Sequence, residues 1–179
     1  MSEGFRQHSY QPPEGATEIV LVRHGESRAA SQENPFPLVD GHGDPELHAN
    51  GEQQAVAVGE ALKSENIAAI YVTSLQRTVQ TAAPLAAHLG LETRLEADLR
   101  EVLLGEWEGG VLRMKAAAGD PIFIRMQAEQ RWDVIPGAES WETLNARVTA
   151  GLARIHRAHP DLFRADRSDQ RRGILCTEA

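Results

Sequence analysis

Along this chain, short continuous apolar runs alternate with longer stretches whose apolar residues recur every three or four positions. Thr17–Val22 is a brief run rich in β-branched residues, too short for a helix, and predicts a strand buried on both faces. Ile67–Val72, IAAIYV, predicts a second buried strand, and Glu92–Leu95 a third, shorter one. Between Gly51 and Ser64, residues Ala55, Val58, Ala61 and Leu62 fall at helical spacing, with Glu52, Glu60 and Lys63 elsewhere. Thr73 and Ser74 offer caps for a helix through LQRTVQTAAPLAAHLG, which Gly90 closes and Pro84 is expected to kink or split. Ser140, or the glutamate before it, opens the longest amphipathic stretch, along which Trp141, Leu144, Val148, Leu152 and Ile155 share one face. SQENPFPLVDGHGDPELHANGE is dense in Pro, Gly, Asn and Asp and reads as loop; the region up to Asp133 reads as loop with one or two modest helices. Strand and helix in alternation imply crossover units. The expected fold is therefore α/β: a three-layer α/β/α sandwich with a mostly parallel central sheet.

Composition narrows the class. At 179 residues the chain is expected to be a leader of residues 1–16 followed by a single domain over 17–179. Apolar residues at 41% and charged residues at 25% are those of a soluble globular protein. The leader is polar with Pro and Gly, and no stretch has the apolar length of a membrane span, so a cytoplasmic protein with no membrane partner is the expectation. A single cysteine, Cys176, excludes an internal disulfide framework and a cysteine-based zinc cluster. The net charge of −8 argues against sequence-independent nucleic-acid binding, though not against a local basic pocket.

Candidate chemistry lies at the strand ends, where open α/β sheets bind their ligands. The first strand runs into Arg23 and His24, with Gly25 permitting close backbone approach. The second ends in TSLQRT, which puts Arg77 on the first turn of the following helix; LRE after the third puts Glu101 in a loop. If these four converge, two guanidinium forks suit phosphate oxygens, an imidazole nitrogen can attack phosphorus, and a carboxylic acid can protonate the leaving oxygen. Taken singly, each is equally at home as an ordinary surface or loop residue.

LVRHGES resembles the signature of the histidine phosphatase superfamily, the phosphoglycerate-mutase-like fold. LHANGEQQA, YVTSLQRTVQTA, LREVLLGEWEG and IPGAES are similar to further family segments, in family order, over roughly residues 17 to 160. The resemblance implies a phosphomonoester hydrolase working through a phosphohistidine on His24, with Arg23 and Arg77 as the phosphate clamp and Glu101 as general acid and then base. It implies a small phosphorylated substrate and no metal or other cofactor. A phosphoglycerate mutase and a non-catalytic binder of phosphorylated ligands are the alternatives. Two departures stand out. Position 30, where relatives often carry a phosphate-contacting asparagine, is alanine, with Ser27 and Ser31 as possible substitutes. The family's second pocket histidine lies on a later strand, but no histidine follows Pro160; GILCT is the one strand-like piece there, and Thr177 falls about where that histidine belongs. The C-terminal part is thus read as incomplete or altered, and turnover as weak or absent. His156 and His159 are read as surface residues at a helix C-terminus, where positive charge is favoured.

Overall fold

The computed structural model describes residues 18–159 in full and, beyond them, the backbone of Arg172–Thr177. The leader expected over residues 1–16 lies outside the described residues.

Strand β1, Ile19–Arg23, is followed by a small hairpin of β2, Leu38–Val39, and β3, His42–Gly43, inside the segment read as loop. Then come α1, Ala49–Leu62; β4, Ile67–Val72; α2, Gln76–Leu89; and β5, Thr93–Leu95. Two short 3-10 turns, Ala97–Leu99 and Gly105–Trp107, lead to α3, Val111–Ala117, and α4, Pro121–Glu129. Helix α5, Trp141–Ala158, and strand β6, Arg172–Thr177, complete the order. The main sheet runs β1-β6-β4-β5, and its pairings are all parallel. The sequence GILCT therefore does enter the sheet, between β1 and β4.

Side-chain alternation on β4 explains why its sequence is continuously apolar. Ile70 and Val72 join Val22, Ala82 and Leu85 on the face covered by α1 and α2. Ala69 and Tyr71 join Leu99 and Ile155 on the other face, under α5. These are the three expected layers. Strand β1 is covered less completely: Val22 is buried, but Leu21, pointing the opposite way, is 64% exposed, because α5 packs over β4 and Ile19 only. The expectation of burial on both faces holds for β4 and not for β1.

Ser140 caps α5, its Oγ accepting from Thr143 N at 3.2 Å, and Gly90 ends α2 at φ 64°. Helix α2 is not split at Pro84: it runs unbroken, and the proline ring lies where a Cβ on Gly59 of α1 would come within 3.0 Å. Close helix packing there offsets the missing N–H. Thr73 and Ser74 do not cap α2 either. Leu75 holds the cap position, and Asp44 Oδ1, from the loop after β3, accepts from Gln76 N at 2.7 Å. Trp141, placed on the buried face by its spacing, is 59% exposed; as the first residue of α5 it packs instead on Trp132, with ring centres 5.5 Å apart and planes tilted by 48°.

Candidate active site

His24 sits one residue past β1. Its neighbour Gly25 passes so near α1 that an added Cβ would lie 2.5 Å from Gly51 O. Gly25 N donates to Thr81 Oγ1 at 3.0 Å, which pins the strand tip to α2. His24 Nδ1 lies 2.6 Å from Gly25 O. A carbonyl only accepts, so Nδ1 carries the proton and Nε2 of the neutral ring presents its lone pair. The ring stays neutral because burial lowers its pKa; Arg77, Arg23 and Arg113 lower it further, and the bond to Gly25 O opposes them without prevailing.

Arg77 is buried, at 7% exposure, and its Nη1 donates to Gly43 O at 2.8 Å. That carbonyl belongs to a loop fixed from both sides: Glu108 accepts from Gly43 N at 2.6 Å and from Leu104 N at 2.8 Å, while Asp44 O accepts from Gln76 Nε2 at 2.6 Å. Arg23 is exposed at the end of β1. Glu101 lies between the two 3-10 turns, its Oε1 accepting from Val102 N at 2.9 Å. Burial raises its pKa, outweighing that hydrogen bond and the pull of Arg77. The loop is clamped by Arg147 of α5, which donates to Asp98 O, Arg100 O and Glu101 O at 2.7 to 2.8 Å and forks onto Glu139.

Arg23, His24, Arg77 and Glu101 all line one cavity of about 260 Å³, with Trp107, Leu104 and Phe36 among its walls. The structure thus brings the four sequence candidates together. It widens, past Arg23 and His24, into an open cleft of about 840 Å³ bounded by Ser27, Ala30, His48 and Gln54. Two further residues reach the inner cavity without having been singled out for it. Arg113, on the first turn of α3, lines both spaces. His42, in DGHGD, is buried, and its Nδ1 has no partner among the described residues. Burial, then Arg100 and Arg147, push its pKa down to about 4. Glycine-rich loop composition gave no hint that this imidazole faces the candidate site.

His156 is exposed as expected, but His159 is not simply a surface cation. Tyr71 Oη lies 2.8 Å from its Nε2, with the two rings edge to face, and burial and Arg94 lower its pKa. Strand β6 pairs Thr177 with Arg23 across the β1 edge, the slot anticipated for it. Trp107 is buried, and Trp132 donates its Nε1–H to Glu139 O at 2.9 Å, so both serve packing. Among the described residues no helix is long and apolar enough to cross a membrane, and no group of three or more His, Cys, Asp or Glu is placed to hold a metal ion.

A parallel sheet flanked by helices, with an arginine-histidine pair at a strand tip facing a second arginine and a buried carboxyl, defines a phosphoglycerate-mutase-like α/β protein. The profile of the histidine phosphatase superfamily (branch 1) matches residues 19–162, and the chain belongs to that superfamily. It is 39% identical over 146 residues to phosphoglycerate mutase-like protein 4 of Arabidopsis thaliana, covering 79% of this chain and 61% of that protein. Against the probable phosphoglycerate mutase GpmB of Salmonella newport it is 34% identical over 136 residues, covering 76% and 61%. The native structure of a mycobacterial glucosyl-3-phosphoglycerate phosphatase superposes with a TM-score of 0.71 at 26% identity, over 90% of this chain and 74% of that one. The matched part of this chain spans about three fifths of the length of the first two relatives.

Proposed function

We propose that this protein is a phosphomonoester hydrolase acting through a phosphohistidine on His24. The observation that carries the reading is the convergence of Arg23, His24, Arg77 and Glu101 on one small cavity. His24 Nε2 attacks phosphorus as the ester oxygen departs, and Glu101, held toward its protonated form by burial, gives that oxygen its proton. Arg23 and Arg77 hold the equatorial oxygens where negative charge gathers. Glu101, now a carboxylate, takes a proton from water as that water attacks the phosphohistidine, and His24 leaves neutral.

In register, Thr177 pairs with Arg23, where the resemblance calls for a histidine, so the sequence supplies one imidazole fewer and turnover is expected to be slow. The substrate is a small phosphorylated molecule. The test is incubation with phenyl phosphate labelled in the phosphoryl group. Acid-labile label on the wild type, absent from His24→Ala, supports the reading; binding of vanadate with no label at all would reduce the protein to a binder. The mutase names of two relatives favour a second reading, phosphoryl transfer within phosphoglycerate. Following 2- and 3-phosphoglycerate by NMR against released inorganic phosphate separates the two.

A further inference from the structure

Arg113 stands at the mouth of the cavity. Its Nη2 donates to Ser27 Oγ and its Nη1 to Arg28 O, both at 2.8 Å, and its guanidinium lies 5.2 Å from the centre of the Phe36 ring. These contacts aim the fork. Each hydrogen-bond partner is uncharged, and the one facing carboxylate, Glu26, attracts Arg113 without closing an ion pair among the described residues. Arg113 nevertheless lines the same cavity as Arg23, His24 and Arg77. The charges feel one another: after burial, Arg77 lowers the pKa of Arg113, and Arg113 is among the charges that lower that of His24.

Three guanidinium groups therefore face one small space. Like charges repel there, and a dianion set among them turns that repulsion into attraction. A planar fork with three of its five N–H donors left over suits phosphoryl oxygens better than a point charge. The adjoining wall is apolar: α3 begins so near Ala30 that a Cβ on Gly110 would lie 2.8 Å from the alanine methyl. The alanine methyl offers a phosphoryl group no hydrogen bond, and Arg113 lines the same cleft.

We propose that Arg113 is a third phosphate-binding arm of this pocket, reaching the transferring group from α3 on the side where Ala30 has only a methyl to offer. The assignment rests on the hydrolase reading above and extends it to a residue outside every motif that identified the family. The rival role is a strut that only ties α3 to the turn at Ser27.

The experiment compares wild type, Arg113→Met and Arg113→Lys. Orthovanadate affinity is measured by calorimetry and the His24 titration by NMR. An arm predicts at least ten-fold weaker vanadate binding in Arg113→Met together with a higher His24 pKa. Arg113→Lys, which keeps the charge and loses the fork, restores the His24 titration and part of the affinity. Vanadate binding within two-fold of wild type and an unmoved His24 in Arg113→Met would overturn the proposal. So would weaker vanadate binding in Arg113→Met with the His24 titration unmoved, since a strut that only places the turn contributes no charge felt by His24. Absence of acid-labile phosphate on the wild type sinks the hydrolase reading alone, because the vanadate and His24 measurements still decide Arg113.

Discussion

Arg147 offers the sharpest test of how the site is held. Its side chain is 18% exposed and that of Glu139 is 7% exposed, with Nε and Nη2 forked on the two carboxylate oxygens at 2.7 and 2.8 Å. The remaining donors hold three consecutive-loop carbonyls, Asp98, Arg100 and Glu101. Arg147→Met keeps most of the stem and removes the fork. The Glu139 carboxylate is then left buried without its cation, a change that costs about 3–5 kcal/mol. For a chain of this size each kcal/mol lowers the melting temperature by about 2–4 °C, so a fall of about 6–20 °C is expected. Urea and thermal unfolding measure it, with Glu139→Met and the double variant closing the cycle. The double variant should be more stable than the sum of the two single losses, because no orphaned charge remains. Acid provides an independent check. Burial alone would raise the Glu139 carboxyl, but the Arg147 fork and the Leu103 N–H hold it below its ordinary value of 4.5. Its contribution is therefore complete above that value and lost as pH falls through the lower folded one, and Arg147→Met should lose this part of the acid limb. A cost under about 1 kcal/mol with an unchanged m-value would refute the clamp.

Glu101→Gln should slow phosphoryl transfer from alkyl phosphates about 10²–10⁴-fold, yet far less from 4-nitrophenyl phosphate, whose phenolate leaves without a proton; equal losses would remove Glu101 from the acid role. Thr81→Val leaves the buried Gly25 N–H without its acceptor and should cost about 1–3 kcal/mol in chemical denaturation, with a shift of the His24 ring resonances; a silent variant would show that the tip of β1 is held otherwise. His42 has a folded pKa of about 4 against 6.5, so the unfolded chain takes up its proton first and stability falls as pH drops from 6.5 towards 4. His42→Gln should flatten part of that slope in urea midpoints measured across the range, and identical slopes would show that His42 titrates normally.

Much of this architecture was legible from local pattern. Ile67–Val72 reads as a strand because both of its faces are buried, and the 3.6-residue period of α1 and α5 survives because each covers one side of the sheet. His24, Arg23, Arg77 and Glu101 were legible as candidates because Arg23 ends a strand and the other three come after one, where parallel sheets expose their carboxyl ends. Motif order over roughly residues 17 to 160 supplied the family.

Contacts between distant segments decided the rest. The cap of α2 comes from Asp44, thirty-two positions away, which no helix signal near Thr73 could announce. Pro84 stays inside its helix because Gly59 makes room for it, and Leu21 lies exposed because α5 covers β4 in preference to β1. Arg113 and His42 belong to segments whose sequence has neither period nor signature, and they reach the cavity only through the packing of α3 and the small hairpin. By itself the sequence determined which backbone elements form and which strand tips present the candidate residues, since those follow from short-range periodicity and turn composition. Only the tertiary structure decided which charges share one cavity, because burial and electrostatic coupling depend on distance in space and not on separation along the chain.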